Sequence, residues 1–383
     1  MFKSGSTSLV KDLNKKHILN LVRMQPGITA RSISDITGLQ FSTVQYMLKS
    51  LRKENYIRES GLGPSTLRGG KPPLTWEINA DYGYVLGAEL LSSEFRIILL
   101  DFKGIPVQRE IVPLSFSQNA EQLVSMIHAA LKKFLAAAHI FDKRLLGLGV
   151  GISGTVNNEE GTIVYARKQD FHNTPFREML STRLPIPIEI ENDANAAALG
   201  VKWLDPQEFE TDNIIYADIQ QHFDGMGVGF IINHELYRGA NNAAGEIASF
   251  LPSTFWQRVC KRVSAGCSFC RDSNTSKKLK PDLSLIVEKA LSNDHDAVFI
   301  LRELAKEIRK KMVLLVDLFN PRALVIGGDI CGAQSIIEPV IKERLRSGVV
   351  SEAAQNTRLR FSSFGAYSGA YGGAALVFRK IFS

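Results

Sequence analysis

Thr29-Ala30-Arg31-Ser32-Ile33-Ser34-Asp35-Ile36-Thr37-Gly38-Leu39-Gln40-Phe41-Ser42-Thr43-Val44-Gln45-Tyr46-Met47-Leu48-Lys49-Ser50-Leu51 reads as two short helices around a tight turn. Thr29 is placed to cap the first, which carries Ile33 and Ile36 inward. Gly38 permits the turn because no Cβ obstructs a left-handed backbone there, and Leu39 plugs the junction. Ser42 caps the next helix, in which Val44, Leu48 and Leu51 recur at i, i+4 and i+7. Its other face shows Thr43, Gln45, Tyr46 and Lys49, with Gln40 and Ser42 at the N-terminal end. Short polar groups there suit base edges, and a cation further along suits phosphate. The pattern is a helix-turn-helix with its second helix presented to DNA.

The neighbouring segments extend this module. Upstream, Leu13, His17/Ile18, Leu21 and Val22 recur at helical spacing until Pro26-Gly27, with His17 expected to be packed. Downstream, Tyr56-Ile57-Arg58, a Gly/Pro/Ser-rich stretch from Gly61 to Pro73, and Leu74–Ile78 read as strand, loop and strand, which is a wing. Arg68 and Lys71 sit on its thin tip, suited to a minor groove. Residues 1–78 thus read as a winged helix-turn-helix domain. The formal charge agrees: residues 1–80 hold 12 Lys and Arg against 5 Asp and Glu, while the other 303 hold 34 of each sign. Phosphate attraction needs this kind of local charge.

A chain of 383 residues suggests two or three domains, and 45% apolar with 22% charged residues suits a soluble protein with ample core. No apolar run approaches the roughly 18–20 residues that span a bilayer. Met1-Phe2-Lys3-Ser4-Gly5 has no apolar signal core. Three of four cysteines bunch between Cys260 and Cys270, unlike a secreted disulfide framework. A cytoplasmic location without membrane contact is expected.

After 79–84 the chain alternates strand and helix. Tyr84–Ala88, Arg96–Asp101, Leu146–Gly151, Ile186–Ile190, Ile214–Asp218 and Gly227–Ile232 are strand-like, and Ala120–Ala138 is helical. An amphipathic helix over Asp294–Phe319 leads to the strand Ala323–Ile326 and then Gly327-Gly328. Mixed elements of these lengths predict an α/β fold of two lobes with a small-ligand cleft between them. His172 either lines that cleft or is solvated.

Glu191-Asn192-Asp193-Ala194-Asn195-Ala196-Ala197-Ala198-Leu199-Gly200 resembles the signature of the ROK family. That family unites sugar-responsive repressors, of the xylose and N-acetylglucosamine type among them, with sugar kinases. Leu236-Tyr237-Arg238-Gly239-Ala240, running to Ala244-Gly245-Glu246-Ile247, is similar to a second family segment. Gly69-Gly70-Lys71-Pro72-Pro73 resembles the wing of the family's repressors, and the likeness runs on to Gly369-Ala370-Tyr371-Gly372-Gly373-Ala374. The resemblance implies an actin-like (sugar-kinase/ribonuclease H-like) body over 79–383. One lobe would be roughly 84–195 with the C-terminal end, the other roughly 196–365.

Departures from the family pattern separate repressor from kinase. The kinases' Asp-x-Gly-Gly-Thr phosphate loop is matched here by Glu89-Leu90-Leu91-Ser92-Ser93, where Leu91 adds bulk and removes backbone freedom. Their second loop, Gly-Thr-Gly-x-Gly, reads Phe223-Asp224-Gly225-Met226-Gly227, which sets a carboxylate against the γ-phosphate. No ATP and no enzymatic activity are expected.

By the resemblance, Asn192 and Asp193 bind sugar hydroxyls and Glu246 is a further sugar-contacting carboxylate. Ser153 turns beside the sugar, and Asp272 stands where the family has a sugar-binding Glu after its last Cys. Vicinal hydroxyls offer paired donors and acceptors that such groups match. Asp193 and Asn195 equally read as caps of the Ala-rich helix that follows. Ala248-Ser249 replaces the family's Gly-His, a sugar contact and zinc ligand. The family's Cys-x-Cys-x4-Cys zinc loop becomes Cys260-x6-Cys267-x2-Cys270. Three thiolates suit zinc, with Asp272, His222 or His234 as fourth ligand; a metal-free loop of buried thiols is the alternative.

The expectation is a sugar-responsive, DNA-binding transcriptional regulator, a repressor, with a degenerate kinase-like effector body. It would bind operator DNA as a homodimer or dimer of dimers. Two rivals stand beside it: a sugar kinase with an accessory DNA module, and a regulator controlled by a protein partner.

Overall fold

The computed structural model describes residues 7–64, 72–114, 119–140, 144–166, 170–220, 225–247, 251–263, 269, 282–350 and 352–383. Three helices, α1 (Thr7–Met24), α2 (Ala30–Thr37) and α3 (Phe41–Lys53), pack around Ile18, Val22, Ile33, Val44, Leu48 and Leu51. Strands β1 (Ile28–Thr29), β2 (Ile57–Leu62) and β3 (Leu74–Ile78) form an antiparallel sheet with β3 central. Thr29 caps α2, accepting from the Ser32 N–H at 3.1 Å, and Gly38 takes φ +70° at its end.

Four expectations are corrected here. Gln40, not Ser42, is the N-cap of α3, and Ser42 lies exposed in its first turn. Ile36 is 51% exposed because α2, only eight residues long, meets the core through Ile33 before ending at Gly38. Leu13 is 54% exposed and His17 is exposed. The buried stripe of α1 starts at Ile18, since this 18-residue helix is longer than the bundle it packs on.

The body has two sheets. In the first, β4 (Tyr84–Leu90), β5 (Glu94–Asp101), β6 (Pro106–Pro113), β7 (Leu145–Ile152) and β11 (Ile188–Asn192) lie in the order β11-β7-β4-β5-β6. Strands β7 and β11 run parallel to β4. α4 (Ala120–Ala137), opened by an Asn119/Gln122 capping box, buries Leu123, Ile127, Leu131 and Phe134 in this lobe's core. A small sheet of β8 (Thr155–Asn157), β9 (Thr162–Ala166) and β10 (Phe171–Thr174), followed by α5 (Phe176–Ser181), completes it.

The second sheet holds β12 (Ile214–Asp218), β13 (Met226–Ile232), β14 (Glu235–Tyr237), β16 (Ala323–Gly327) and β17 (Arg358–Phe361) in the order β14-β13-β12-β16-β17. The two-residue β15 (Glu246–Ile247) pairs with β13. Helices α7 (Phe255–Cys260), α8 (Leu283–Leu291), α9 (His295–Phe319) and α10 (Gln334–Gly348) supply its larger core. Two helices lie between the sheets: α6 (Asp193–Leu204) against β12 and β13, and α11 (Ser368–Phe382) against β4 and β7. A Cβ on Gly149 would fall 1.8 Å from the Gly373 carbonyl, so this approach needs glycine. Each segment named as strand-like or helical in the sequence forms that element, with shifts of a few residues at the ends. No described helix is long and apolar enough to cross a membrane.

The winged helix does not stand apart. Trp76 and Ile78 of β3 share a core with Val85, Ile98, Phe102, Phe378 and Phe382 of the body. Tyr56 stacks on Tyr82 at 4.3 Å, and Tyr82 meets Phe102 at 4.7 Å.

Candidate functional site

The recognition surface of α3 follows from its buried stripe. With Val44, Met47, Leu48 and Leu51 turned inward, Gln40, Ser42, Gln45, Tyr46 and Lys49 are exposed and Thr43 is half-buried. α1 adds a cation that sequence inspection overlooked. The Lys11 ammonium donates to the Tyr46 hydroxyl at 3.2 Å and lies 5.0 Å from its ring centroid. Arg68 and Lys71 lie outside the described residues.

The cleft forms where the carboxyl ends of parallel strands converge, the usual ligand position in open α/β sheets. β4 delivers Glu89, β7 leads to Ser153, β11 ends at Asn192, β12 ends at Asp218, and β16 leads to Asp329. The Asn192 Oδ1 accepts the Asn195 N–H at 3.0 Å and so caps α6, while its Nδ2 donates to the Gly154 carbonyl at 3.1 Å. Asp193 Oδ1 accepts from Asn192 Nδ2 and from the Ala194 N–H, both at 2.9 Å, and the Ser153 side chain also bonds to Asp193. The cap is therefore Asn192 rather than the expected Asp193 and Asn195, because an N-cap must precede the first helical turn. Asn195 instead turns its amide toward Glu191 at 3.4 Å.

Glu89, Asp193 and Asp218 are buried, with carboxylate oxygens within 4.8 Å of one another. Burial, then the charge of Asp218, pushes Asp193 up to about 7. Burial likewise raises Asp218 to about 6, with Asp329 adding to the effect. Glu89 is raised well above its ordinary range, mainly by burial. Glu246, on β15 at the mouth, is raised by partial burial and faces Asp193 electrostatically. Gln220 joins the group, donating to Glu89 at 3.1 Å and Asp218 at 2.7 Å.

Arg96 supplies the countercharge. Its guanidinium, 2% exposed, meets Glu94 at 2.5 Å, Asp329 at 2.8 and 3.0 Å, Gln220 at 3.3 Å and the Ala366 carbonyl, and lies 3.8 Å from Glu89. It ties β5 of one lobe to the β12 and β16 ends of the other. The β4–β5 turn beside it is a closed hairpin in which the Leu91 N–H donates to the Glu94 carbonyl at 3.0 Å. Sequence reading missed Arg96, Asp218, Gln220 and Asp329. The available signal was a charged residue at each end of this hairpin, Glu89 and Arg96, inside otherwise apolar strands.

Of the expected zinc ligands, Cys260 ends α7 and is disulfide-bonded. Cys267, Cys270, Asp272 and His222 lie outside the described residues, as does Asp224. His234 is engaged elsewhere, its Nδ1 lying 3.2 Å from the Lys202 ammonium. Among the described residues, Glu89, Asp193 and Asp218 are the group close enough to share an ion. His172 is exposed beside Asp170.

Residues 11–58 match the winged helix-turn-helix DNA-binding family, and residues 85–380 match the ROK family. The chain is 28% identical over 344 residues to the xylose repressor of Caldicellulosiruptor bescii, covering 84% of each chain. It is 26% identical over 379 residues to that of Bacillus subtilis, covering 97% of this chain and 96% of the relative. A crystal structure of a ROK family transcriptional regulator, a homolog of the Escherichia coli MLC protein, superposes with a TM-score of 0.75 over 97% of both chains at 19% identity. A Streptomyces griseus ROK family glucokinase, solved with glucose and AMPPNP, superposes at 0.65 over 78% of this chain and all of its own, at 21% identity. With a winged helix ahead of an actin-like, two-lobed body, this chain belongs to the ROK family.

Proposed function

We propose that this protein is a sugar-responsive transcriptional repressor, with residues 1–78 as the DNA reader and 79–383 as the sensor. The observation that carries this is the exposed polar face of α3, fastened through a shared core to a body whose cleft holds the Asn192–Asp193–Ser153 group. Gln40, Ser42, Thr43, Gln45 and Tyr46 would meet base edges, with Lys49 on phosphate and Arg68 and Lys71 of the wing in a minor groove. Two copies would read a palindromic operator. Its relatives' names, xylose repressors, favour a pentose or related sugar as effector. Asn192, Asp193, Ser153 and Glu246 are assigned to its hydroxyls, and by the family resemblance so is Asp272, which lies outside the described residues.

Phosphoryl transfer is not part of this function. The place where a kinase would cradle phosphate holds the closed Leu91–Glu94 hairpin and a cluster of carboxylates already matched to Arg96. Added phosphate would meet like charge in a buried setting. Calorimetry with D-xylose, gel-shift titration on a selected duplex, and an ATP-consumption assay test the three parts. Sugar binding that changes duplex affinity without ATP turnover is expected; turnover above background refutes the repressor reading in favour of a kinase.

A further inference from the structure

We infer that Arg23 is the positioning residue through which the cleft controls the DNA-reading module. This rests on the proposed function for the identity of the effector, but not for the geometry. Arg23 lies in the last turn of α1, and its half-buried side chain packs against the body. Nη1 donates to the Trp203 carbonyl at 2.5 Å and Nε to Asn20 at 3.0 Å. The guanidinium carbon lies 4.7 Å from the Phe209 ring centroid, 5.1 Å from Trp203 and 5.3 Å from Phe382. Among the described residues it has no carboxylate partner. Its hold consists of three aromatic faces and a carbonyl in the last turn of α6, the negative end of that helix.

The stretch that supplies two of the three rings and the carbonyl begins and ends in the cleft. α6 starts at Asp193, runs 12 residues, or about 18 Å, and delivers Trp203. Residues 205–213 carry Phe209, and β12 then returns to Asp218. The turn-round is held as a unit. The Lys202 ammonium donates to the Thr211 carbonyl at 2.8 Å and to that of Phe209, and Arg360 binds Asp205 at 3.2 Å and Glu208 at 2.5 Å. Buried from Asp193 to Lys202, α6 has no room to bend. A change in the separation of Asp193 and Asp218 therefore arrives at Arg23 as a displacement of its rings and carbonyl.

From Arg23 the displacement passes along α1 to the reading helix, through Lys15 on Glu54 at 2.5 and 2.6 Å and Lys11 on Tyr46 at 3.2 Å. The module's other polar fastenings run to Lys103, just past β5, and to Ser383 at the end of α11. Lys103 holds Glu77 at 2.9 Å, and the Lys16 ammonium holds the Ser383 carbonyl at 2.6 Å. Those contacts would keep the module attached when the Arg23 cage changes shape.

The test uses the full chain, a duplex selected from a random library, and D-xylose as probe. In the native protein D-xylose is expected to change duplex affinity by a factor within about 5–150, the usual span of such coupling. Arg23→Gln should bring that factor close to one while calorimetric D-xylose binding persists, and Arg23→Lys should restore part of it. A purely structural Arg23 would lower the melting temperature and leave the factor unchanged, which overturns the inference. A second measurement needs no sugar: amide exchange in α3, compared with and without Asp193→Asn. A change of about threefold or more is expected in the native background and none with Arg23→Gln. Equal responses in both backgrounds, or none in either, also overturn it. If D-xylose leaves the native protein's duplex affinity unaltered, the sugar assignment fails and the exchange measurement alone judges Arg23.

Discussion

Asp193→Asn should make this protein more stable at alkaline pH while destroying its response to sugar. The carboxylate is buried, shares its site with Glu89 and Asp218, and faces Glu246, so its folded-state value is about 7 against an ordinary 3.8. The folded chain thus keeps this proton to higher pH than the unfolded chain, and stability falls as pH rises between those two values. At about 1.4 kcal/mol per unit, ionised Asp193 costs about 4 kcal/mol at pH 8, or about 2–4 when neighbouring acids share the effect. Asp218, raised to about 6, contributes with the same sign. Asparagine keeps an oxygen for the Ala194 N–H, Asn192 and Ser153 but carries no charge. Urea unfolding from pH 5 to pH 8 is the assay. The variant's advantage over the native chain should grow by about 2–3 kcal/mol across that interval. Parallel curves for the two proteins would refute the electrostatic account of the cleft. Duplex release by the same D-xylose concentration as the native protein would remove Asp193 from the effector site.

Arg96→Met should lower stability by about 3–5 kcal/mol at neutral pH, because it leaves Glu94, Asp329 and Glu89 without their shared cation. The loss should shrink toward pH 5 as Glu89, held above its ordinary range by burial, takes up a proton; urea titration at both pH values checks it. Lys49→Ala should weaken all duplexes alike and flatten the log–log salt slope by about one, whereas Gln45→Ala should relax base preference at unchanged slope. For the cysteine segment, thiolate ligation of zinc through Cys260, Cys267 and Cys270 requires that the Cys260 disulfide first be reduced, and about one zinc per chain after reducing purification without chelator would support that site. Less than about a tenth of an equivalent would favour a metal-free loop.

The helix-turn-helix was legible because its determinants are local: a cap at Thr29, a left-handed Gly38 and an apolar stripe along α3. Single-sided burial misled at Leu13 and Ile36, where an apolar residue on the expected face has no neighbour to cover it. β4, β5, β7, β11, β12, β13 and β16 were legible because both faces are covered, leaving near-continuous apolar runs, whereas the exposed edge strand β6 and the short β14, β15 and β17 were not named. β8, β9 and β10 are short and flanked by turns, and their pattern was too brief to stand out. α11 carries Gly369, Gly372 and Gly373 in its first two turns, so its composition argues weakly for helix there. Gly373 is there because its backbone lies against Gly149. In the cleft, Asn192 and Asp193 are consecutive and were found together. Asp218 and Arg96 lie on separate strands and Asp329 just past a third, and they meet only through the sheet order.

A buried cluster of three carboxylates with one orphaned oxygen, Glu89 Oε2, is an unfavourable arrangement for a protein that only needs to fold. Hydrophobic replacements would pack as well and remove the charge penalty. The same arrangement is well matched to a ligand rich in hydroxyl donors, since each donated hydrogen bond stabilises an ionised carboxylate that water barely reaches. A ligand of that kind gains more here than it would from satisfied acceptors. Such a ligand would also bridge two elements, because Asp193 opens α6 while Asp218 ends β12. Arg96 bridges β5 to Asp329 and Gln220 across the same cleft. Strain at the cleft and transmission along α6 are thus two consequences of one placement of acidic residues. A cleft that had shed these carboxylates along with its phosphate loops would be more stable, and it would have nothing left to report.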